Sequence, residues 1–393
     1  MIKSKYSVFI YQEVMRHYRV ANFKMLNDVL NGELLVFYDH SPKSSSDQLN
    51  FKEERFFKCD NLKSFSFFNG KIYFQNIFRP LIKWGIPNVI IAQGTSRFVS
   101  NYFLILLKIL GVKIIFWGHG HSMKSERKGA KFRDFSQILL MKMADAYVTY
   151  SGEGASFVKR YCNAKKVFTA PNTIDVERIL AIKKSLPDTS RLKEALHLPL
   201  KHYAIFIGKL IPVKKVEVVI DKIVMLNKRG IAIGGVIIGE GKERDKLVNR
   251  VPLEFKDRIR FLGKITDLDE TSPYMYLSDF YMSPGGIGLA LNQCLSLGVP
   301  VIAESNSARA AHGPEIAYLT SGENGFLVDF ENDDELTRIV HHILDNREEF
   351  RKKCINYAEN NLSINNFVEG FISALSYLDI PIKKGGYWQM DSL

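Results

Sequence analysis

An α/β protein with two doubly wound parallel sheets is the fold class this sequence predicts, on three observations. Short apolar runs alternate with helix-length stretches along the whole chain, the rhythm of βαβ units. The 393 residues are more than one hydrophobic core comfortably organises, so two domains are expected. Pro171-Asn172-Thr173, followed by a charged helical connector from Val176 to about Leu198, divides one set of alternating elements from the next.

Taken in order, the first set has strands at Ser7–Tyr11, Leu34–Tyr38, Val89–Ala92, Lys113–Trp117, Ala146–Thr149 and Lys166–Thr169. Between them, helices are expected at Asn22–Leu30, Arg97–Leu110, Phe132–Met143 and Gly152–Tyr161. The second set begins with a strand at Tyr203–Gly208 and a helix at Val216–Arg229. Strands at Gly234–Gly239 and Arg258–Leu262 flank a helix at Lys242–Arg250, and a short helix, Ser272–Leu277, precedes a strand at Phe280–Ser283. A strand at Phe326–Val328, an acidic-start helix at Asp333–Asp345 and a last helix at Ile364–Leu378 complete the reading. Two such units suggest facing sheets with a cleft between them, and ligands outside the strand C-termini.

Composition narrows the function. The four cysteines are scattered, with no CxxC pair and no Cys/His metal spacing, which argues against a disulfide framework or structural zinc. Residues 1–5 are polar and basic and lead straight into a strand, without a signal-peptide core. The apolar stretch Tyr102–Trp117 is interrupted by Lys108, Gly111 and Lys113, and reads as a buried helix plus a strand. The net charge is +12, and residues 1–180 alone carry +13, with dense patches at Lys124–Arg133 and Lys159–Lys166. A basic N-terminal half suggests an anionic surface or acceptor; no nucleic-acid-binding module is recognisable.

Residues 281–303 are the most informative stretch. They read as strand end, a turn containing Gly285, Gly286 and Gly288, a helix over Leu289–Leu297, a stop at Gly298, and a strand at Val299–Ala303. Free amides at a helix start behind a glycine-rich turn suit a phosphate, although an ordinary strand–helix turn has the same pattern. Ile207-Gly208-Lys209-Leu210-Ile211-Pro212-Val213-Lys214-Lys215 follows a strand and places Lys209 and Lys214 within reach of a phosphate pair. Three more segments carry chemistry-bearing residues: Phe261-Leu262-Gly263 followed by Asp267 and Glu270, Ala310–Ile316 preceding Gly322–Val328, and Phe116-Trp117-Gly118-His119-Gly120-His121. Asp267-Leu268-Asp269 looks like a metal-binding pair but falls in a loop after a strand. Gly239-Glu240-Gly241 and Gly152-Glu153-Gly154 lack the third glycine of a dinucleotide fingerprint.

In that order and spacing these segments resemble glycosyltransferase family 4, of the GT-B fold with two Rossmann-like domains facing a central cleft. The likeness covers almost all of residues 140–345. Gly208-Lys209-Leu210 with Lys214-Lys215 is similar to the family's Gly-Arg-Leu and Lys-Gly; Pro171-Asn172-Thr173-Ile174-Asp175 to its Pro-Asn-Gly-Val-Asp; Gly298-Val299-Pro300-Val301-Ile302 to its Gly-x-Pro-Val-Ile. The resemblance implies an acceptor domain over 1–178, to which a C-terminal helix in about 366–393 crosses back, and a donor domain over 185–365. It implies a nucleotide-sugar donor, UDP-linked by family frequency, no metal or other cofactor, and retention at the anomeric carbon. Lys209 and Lys214 would hold the diphosphate, where fixed cations stabilise the charge that develops on the departing group. The amides at Gly286, Ile287, Gly288 and Leu289 would add to that, with Gly208 and Ile265 among the donor contacts.

Two departures stand out. Most members carry paired glutamates where this chain has Gly285 and Gln293, so it resembles a branch with a Pro-Gly turn. Gln293 can still hydrogen-bond a ribose, or be an amide on a half-exposed helix face, and Asn292 is a substitute sugar contact. By the same resemblance His119 is the catalytic candidate of the first domain, with His121 competing and glycines on both sides favouring close ligand approach. Tyr18 and Arg19 lie where the first loop meets an acceptor; Arg19 suits a phosphate, or is a surface arginine. The activity implied is transfer of a sugar to a saccharide acceptor, lipid-linked, at the inner face of the cytoplasmic membrane, as in surface-polysaccharide assembly. A nucleotide-sugar epimerase and a non-catalytic glycan-binding scaffold are the alternatives.

Overall fold

The computed structural model describes residues 2–39, 56–120 and 130–382, with backbone only for 130–134. It divides into two compact units: residues up to Thr173 together with those from Ile364 onward, and Ile174–Ser363.

In the first unit the elements run β1 (Val8–Tyr11), α1 (Arg19–Val29), β2 (Leu34–Tyr38), β3 (Lys58–Asn61), β4 (Ser64–Phe67), β5 (Ile72–Gln75), α2 (Phe78–Trp84) and β6 (Val89–Gln93). They continue through α3 (Ser100–Leu106), extended by a 3₁₀ turn at Leu107–Leu110, then β7 (Lys113–Gly118), α4 (Ala130–Met143), β8 (Ala146–Thr149), α5 (Gly152–Lys159) and β9 (Val167–Thr169). Seven strands form a parallel sheet in the order β3-β2-β1-β6-β7-β8-β9, and β4 pairs with β5 as an antiparallel hairpin outside it. The strands read as continuous apolar runs because both faces are covered. Val8 and Ile10 of β1 enter one core cluster, with α1. Phe9 and Tyr11 enter the other, with residues of α3, α4 and α5.

The second unit comprises α6 (Val176–Ser185), α7 (Thr189–Ala195), β10 (His202–Ile207), α8 (Val216–Lys228), β11 (Ile233–Ile238), α9 (Arg244–Arg250), β12 (Ile259–Phe261) and α10 (Leu268–Leu277). After these come β13 (Phe280–Ser283), α11 (Ala290–Ser296), β14 (Val301–Glu304), β15 (Gly325–Val328), α12 (Asp333–Asp345) and α13 (Arg347–Asn361). Its six strands are parallel in the order β12-β11-β10-β13-β14-β15. That is the doubly wound order, in which the first strand lies at the centre and the chain winds outward on both sides.

The last helix, α14 (Ile364–Tyr377), returns to the first unit. Phe367 and Phe371 lie edge-on to Trp117 of β7, with ring centroids 5.6 and 5.1 Å apart. The connector differs from the single helical stretch the sequence predicts. Leu186 is extended ahead of Pro187, which cannot continue a helix, and the Asp188 side chain caps α7 by accepting from the Ser190 and Arg191 amides.

Candidate active site

Ligands of a doubly wound sheet bind beyond the strand C-termini, where the strand order reverses. In the second unit that point lies between β10 and β13. The paired-lysine loop follows β10, and the glycine turn follows β13. The structure brings the two together: Lys214 Nζ donates to the Gly286 carbonyl at 2.5 Å. A side chain at Gly285 would overlap the carbonyls of Val213 and Lys214, so glycine is what lets the two backbones touch. The lysine loop is fixed from the other side by Leu210 N, which donates to the Glu240 carbonyl at 2.9 Å. Pro212–Lys214 form a 3₁₀ turn, and Lys215 turns left-handed (φ 49°) before α8 begins. Lys209 is exposed and Lys214 is half-buried.

Burial lowers the Lys214 pKa, and the Glu315 carboxylate opposes that fall. Glu315 is itself buried, on the 3₁₀ turn Pro314–Tyr318 that follows β14. A Cβ placed on Gly288 would lie 3.9 Å from its Oε2, so this carboxylate faces the glycine turn. Sequence reasoning gave Glu315 no role; its signal was the His312-Gly313-Pro314-Glu315 segment between two strands.

His312, from the same segment, accepts the Ile287 amide on Nδ1 at 3.3 Å and donates from Nε2 to the Glu304 carbonyl at 2.8 Å. This corrects the expectation of free amides throughout 286–289. Ile287 N–H is engaged, and Gly286 and Ile287 are buried, whereas Gly288 and Leu289 at the start of α11 are half-buried. The same geometry gives a pH dependence. Burial holds the His312 pKa below the ordinary histidine range, Glu304 pulls it upward, and Lys214 pushes it down. A folded value below the unfolded one of about 6.5 means that the unfolded chain takes the proton first on acidification. The stabilisation is fully present above about pH 6.5 and is lost as pH falls through the folded pKa. Denaturation midpoints measured at pH 7 and pH 5 should therefore fall further for the wild type than for His312→Gln.

Among the remaining donor candidates, Gly208 ends β10 with its amide on the Ile238 carbonyl at 3.0 Å, and Ile265 is half-buried in the loop after β12. Gln293 is buried rather than half-exposed, and its Nε2 donates to Thr271 Oγ1 at 2.9 Å. Asn292 has no exposed surface, which corrects its assignment as a sugar contact: a ligand cannot touch it in this conformation. Asp267 caps α10 by accepting the Asp269 amide at 2.7 Å, and Asp269 pairs with Arg178 at 2.6 Å. Beside the glycine turn, Lys215, Pro284, Glu304, Arg309 and Glu331 line a cavity of about 180 Å³. Arg309 is neutralised there by Glu304, Asp329 and Glu331, so that cavity does not suit a diphosphate.

In the first unit, His119 is exposed at the end of β7, and its ring lies edge-on to Tyr150 at 5.1 Å. Its glycine neighbour has a packing cause rather than the expected ligand-approach one. Gly120 is left-handed (φ 80°), and a Cβ there would come within 2.8 Å of the Gly154 carbonyl and of Val158 in α5. His121 lies outside the described residues. Arg19 is not a surface arginine: it is 7% exposed, over the Trp117 ring at 4.2 Å, with Nη2 on Tyr150 Oη at 3.4 Å. Among the described residues its Nη1, the Trp117 Nε1 and the Asn22 Oδ1 have no hydrogen-bond partner. Tyr18 is half-buried just before α1, its ring 5.5 Å from the Arg19 guanidinium.

Comparison with known proteins fits this layout. Residues 190–361 match the family described as Glycosyl transferases group 1. An uncharacterized glycosyltransferase of Methanocaldococcus jannaschii is 29% identical over 294 residues, which cover 71% of this chain and 79% of that protein. Anabaena HepE, solved in complex with UDP, matches with a TM-score of 0.68 at 15% identity, over 94% of this chain and 99% of HepE. Sucrose-phosphate synthase from Thermosynechococcus elongatus matches with a TM-score of 0.66 at 14% identity, over 95% of this chain and 98% of that one. The fold is GT-B. The matched residues fall within the second unit, and both the lysine loop and the glycine turn of this GT-B chain lie inside them.

Proposed function

We propose that this chain transfers a sugar from a nucleotide-sugar donor, UDP-linked, to a saccharide acceptor carried on a lipid, with retention at the anomeric carbon. One observation carries the donor half: the Lys214 ammonium sits on the Gly286 carbonyl, at the point where the strand order of the second unit reverses. A diphosphate placed there meets Lys209, Lys214 and the amides of Gly288 and Leu289. Breaking the sugar–phosphate bond increases negative charge on the diphosphate, and prepositioned cations stabilise that change most. The solved UDP and UDP-glucose complexes of HepE support a uridine nucleotide. No metal is required in this reading, since the lysines supply the countercharge.

For the acceptor, Arg19 is the proposed phosphate contact, supported by a buried guanidinium with an unpartnered Nη1. His119 is the proposed group that positions the acceptor or a donor-sugar hydroxyl. Its place is a peripheral one at the inner face of the cytoplasmic membrane, supported by the +13 charge of residues 1–180.

Thermal denaturation with millimolar UDP, UDP-sugars and GDP tests the donor reading. UDP and one UDP-sugar should raise the midpoint measurably, since ligand binding adds stability by mass action. No shift with any nucleotide would overturn it. His119→Ala should lower transfer about 100-fold while leaving the denaturation midpoint and the UDP shift intact, because the side chain is exposed.

A further inference from the structure

The hairpin outside the first sheet is amphipathic the wrong way round for a soluble protein. Its register pairs Phe65 with Phe74 and Phe67 with Ile72, so these four side chains share one face. Phe65 and Phe67 are exposed, as is Phe68 at the turn, 75% open to solvent. The opposite face holds Ser64, Ser66, Tyr73 and Gln75; there Gln75 is buried and Tyr73 packs on Phe98. The polar face thus meets the protein through Tyr73 and Gln75, with Ser66 exposed, while Phe65 and Phe67 of the aromatic face are open to solvent.

That apolar face continues beyond the hairpin. Phe103 of α3 touches both Phe74 and Phe78, with ring centroids 6.2 and 6.4 Å apart. Val99, Phe103, Leu106 and Leu110 then recur at helical spacing, and all are exposed. Next to α3, α4 exposes Phe135, Leu139 and Met143, one turn apart; the two helices are tied by Tyr102 Oη donating to the Ser136 carbonyl at 3.3 Å. Ile82 of α2 and Ile109 are each 85% exposed. Contiguous apolar surface of this kind marks an interaction site.

Charge says what covers it. Residues 61–125 contain eight Lys and Arg and no Asp or Glu. Lys63, Lys71 and Arg79, which flank the hairpin and α2, are exposed. Lys83 and Lys108 are paired with Asp60 and Asp145, and an apolar face flanked by the further cations Lys63, Lys71 and Arg79 fits the headgroup layer of an anionic bilayer. There phenylalanines and aliphatic side chains enter the acyl boundary, and lysines extend to the phosphates. Among the described residues no helix is long and apolar enough to cross a membrane, so the contact is with one leaflet.

We propose that the outer face of the hairpin, with the exposed stripes of α2, α3 and α4, docks this protein onto an anionic lipid bilayer. This deepens the lipid-linked-acceptor reading and rests on it only for its purpose, since docking itself needs no sugar chemistry. The full-length protein is floated with phosphatidylcholine vesicles and with vesicles containing phosphatidylglycerol, at physiological salt. Wild type is expected with the phosphatidylglycerol vesicles. The double variant F67S/F68S, whose side chains are exposed, should bind at least about tenfold less while keeping its denaturation midpoint and its UDP shift. K71E/R79E should lose the preference for anionic lipid. Wild type that stays unbound, or F67S/F68S that floats like wild type, would overturn the proposal. So would a wild-type dimer by light scattering that F67S/F68S disperses, since the face would then belong to a second copy. An absent UDP shift with intact flotation would sink the donor reading and leave the docking face standing.

Discussion

Lys214→Ala should lower turnover about 100-fold or more, because it removes a fixed cation from the group on which charge develops. The loss should appear in kcat as well as in donor affinity, since a contact that strengthens in the transition state affects both. Fold stability should change little by comparison: the side chain is half-buried, and its ammonium hydrogen-bonds the Gly286 carbonyl at the site. The ammonium must be charged to act, and its pKa is already lowered by burial, with Glu315 holding it up. Activity should therefore decline as pH rises through the Lys214 pKa. Glu315→Gln removes the opposing carboxylate, so the alkaline limb of its kcat/KM profile should move to lower pH. A profile superimposable on wild type would deny that Lys214 is the group titrating.

Gly285→Glu should fail to supply a working carboxylate at the place where the resemblance to glycosyltransferase family 4 implies one. The position faces the backbone of Val213 and Lys214, and even a methyl group there would overlap both carbonyls. Relieving the overlap drives the lysine loop away from the glycine turn. A loss of several kcal/mol of stability is expected, together with loss of donor binding, and Gly285→Ala should show most of the same effect. Urea denaturation of both variants, paired with the UDP shift, measures it. A stable Gly285→Glu with raised activity would mean that the two loops are not packed as described. Glu315, which faces the same turn from the segment after β14, is the carboxylate that remains.

Much of the architecture was legible because buried parallel strands are short apolar runs between turn signals. Leu34–Tyr38, Ala146–Thr149 and Phe280–Ser283 match their predicted bounds, as does the acidic-capped helix Asp333–Asp345. The elements that escaped notice lack that contrast. The β4–β5 hairpin buries Gln75 and exposes Phe65 and Phe67, so its pattern argues against itself. Helix α13 shows only Phe350, Cys354 and Ala358 as a buried stripe in an otherwise polar sequence. At the site, the meeting of the lysine loop and the glycine turn followed from their places after two strands. The engagement of the Ile287 amide by His312, the burial of Asn292 and the approach of Glu315 depend on how three separate loops converge, and no local spacing encodes that.

The return of α14 to the first unit reverses the order in which the polypeptide can mature. Residues up to Thr173 leave the ribosome first, yet Trp117 and Phe23 find their neighbours Phe367 and Phe371 only when the last segment has been made. The part in the middle holds every strand and helix of its own sheet and can fold while synthesis is still under way. The half translated earliest is thus finished last, and a stop codon near position 363 would leave it with an open hydrophobic flank.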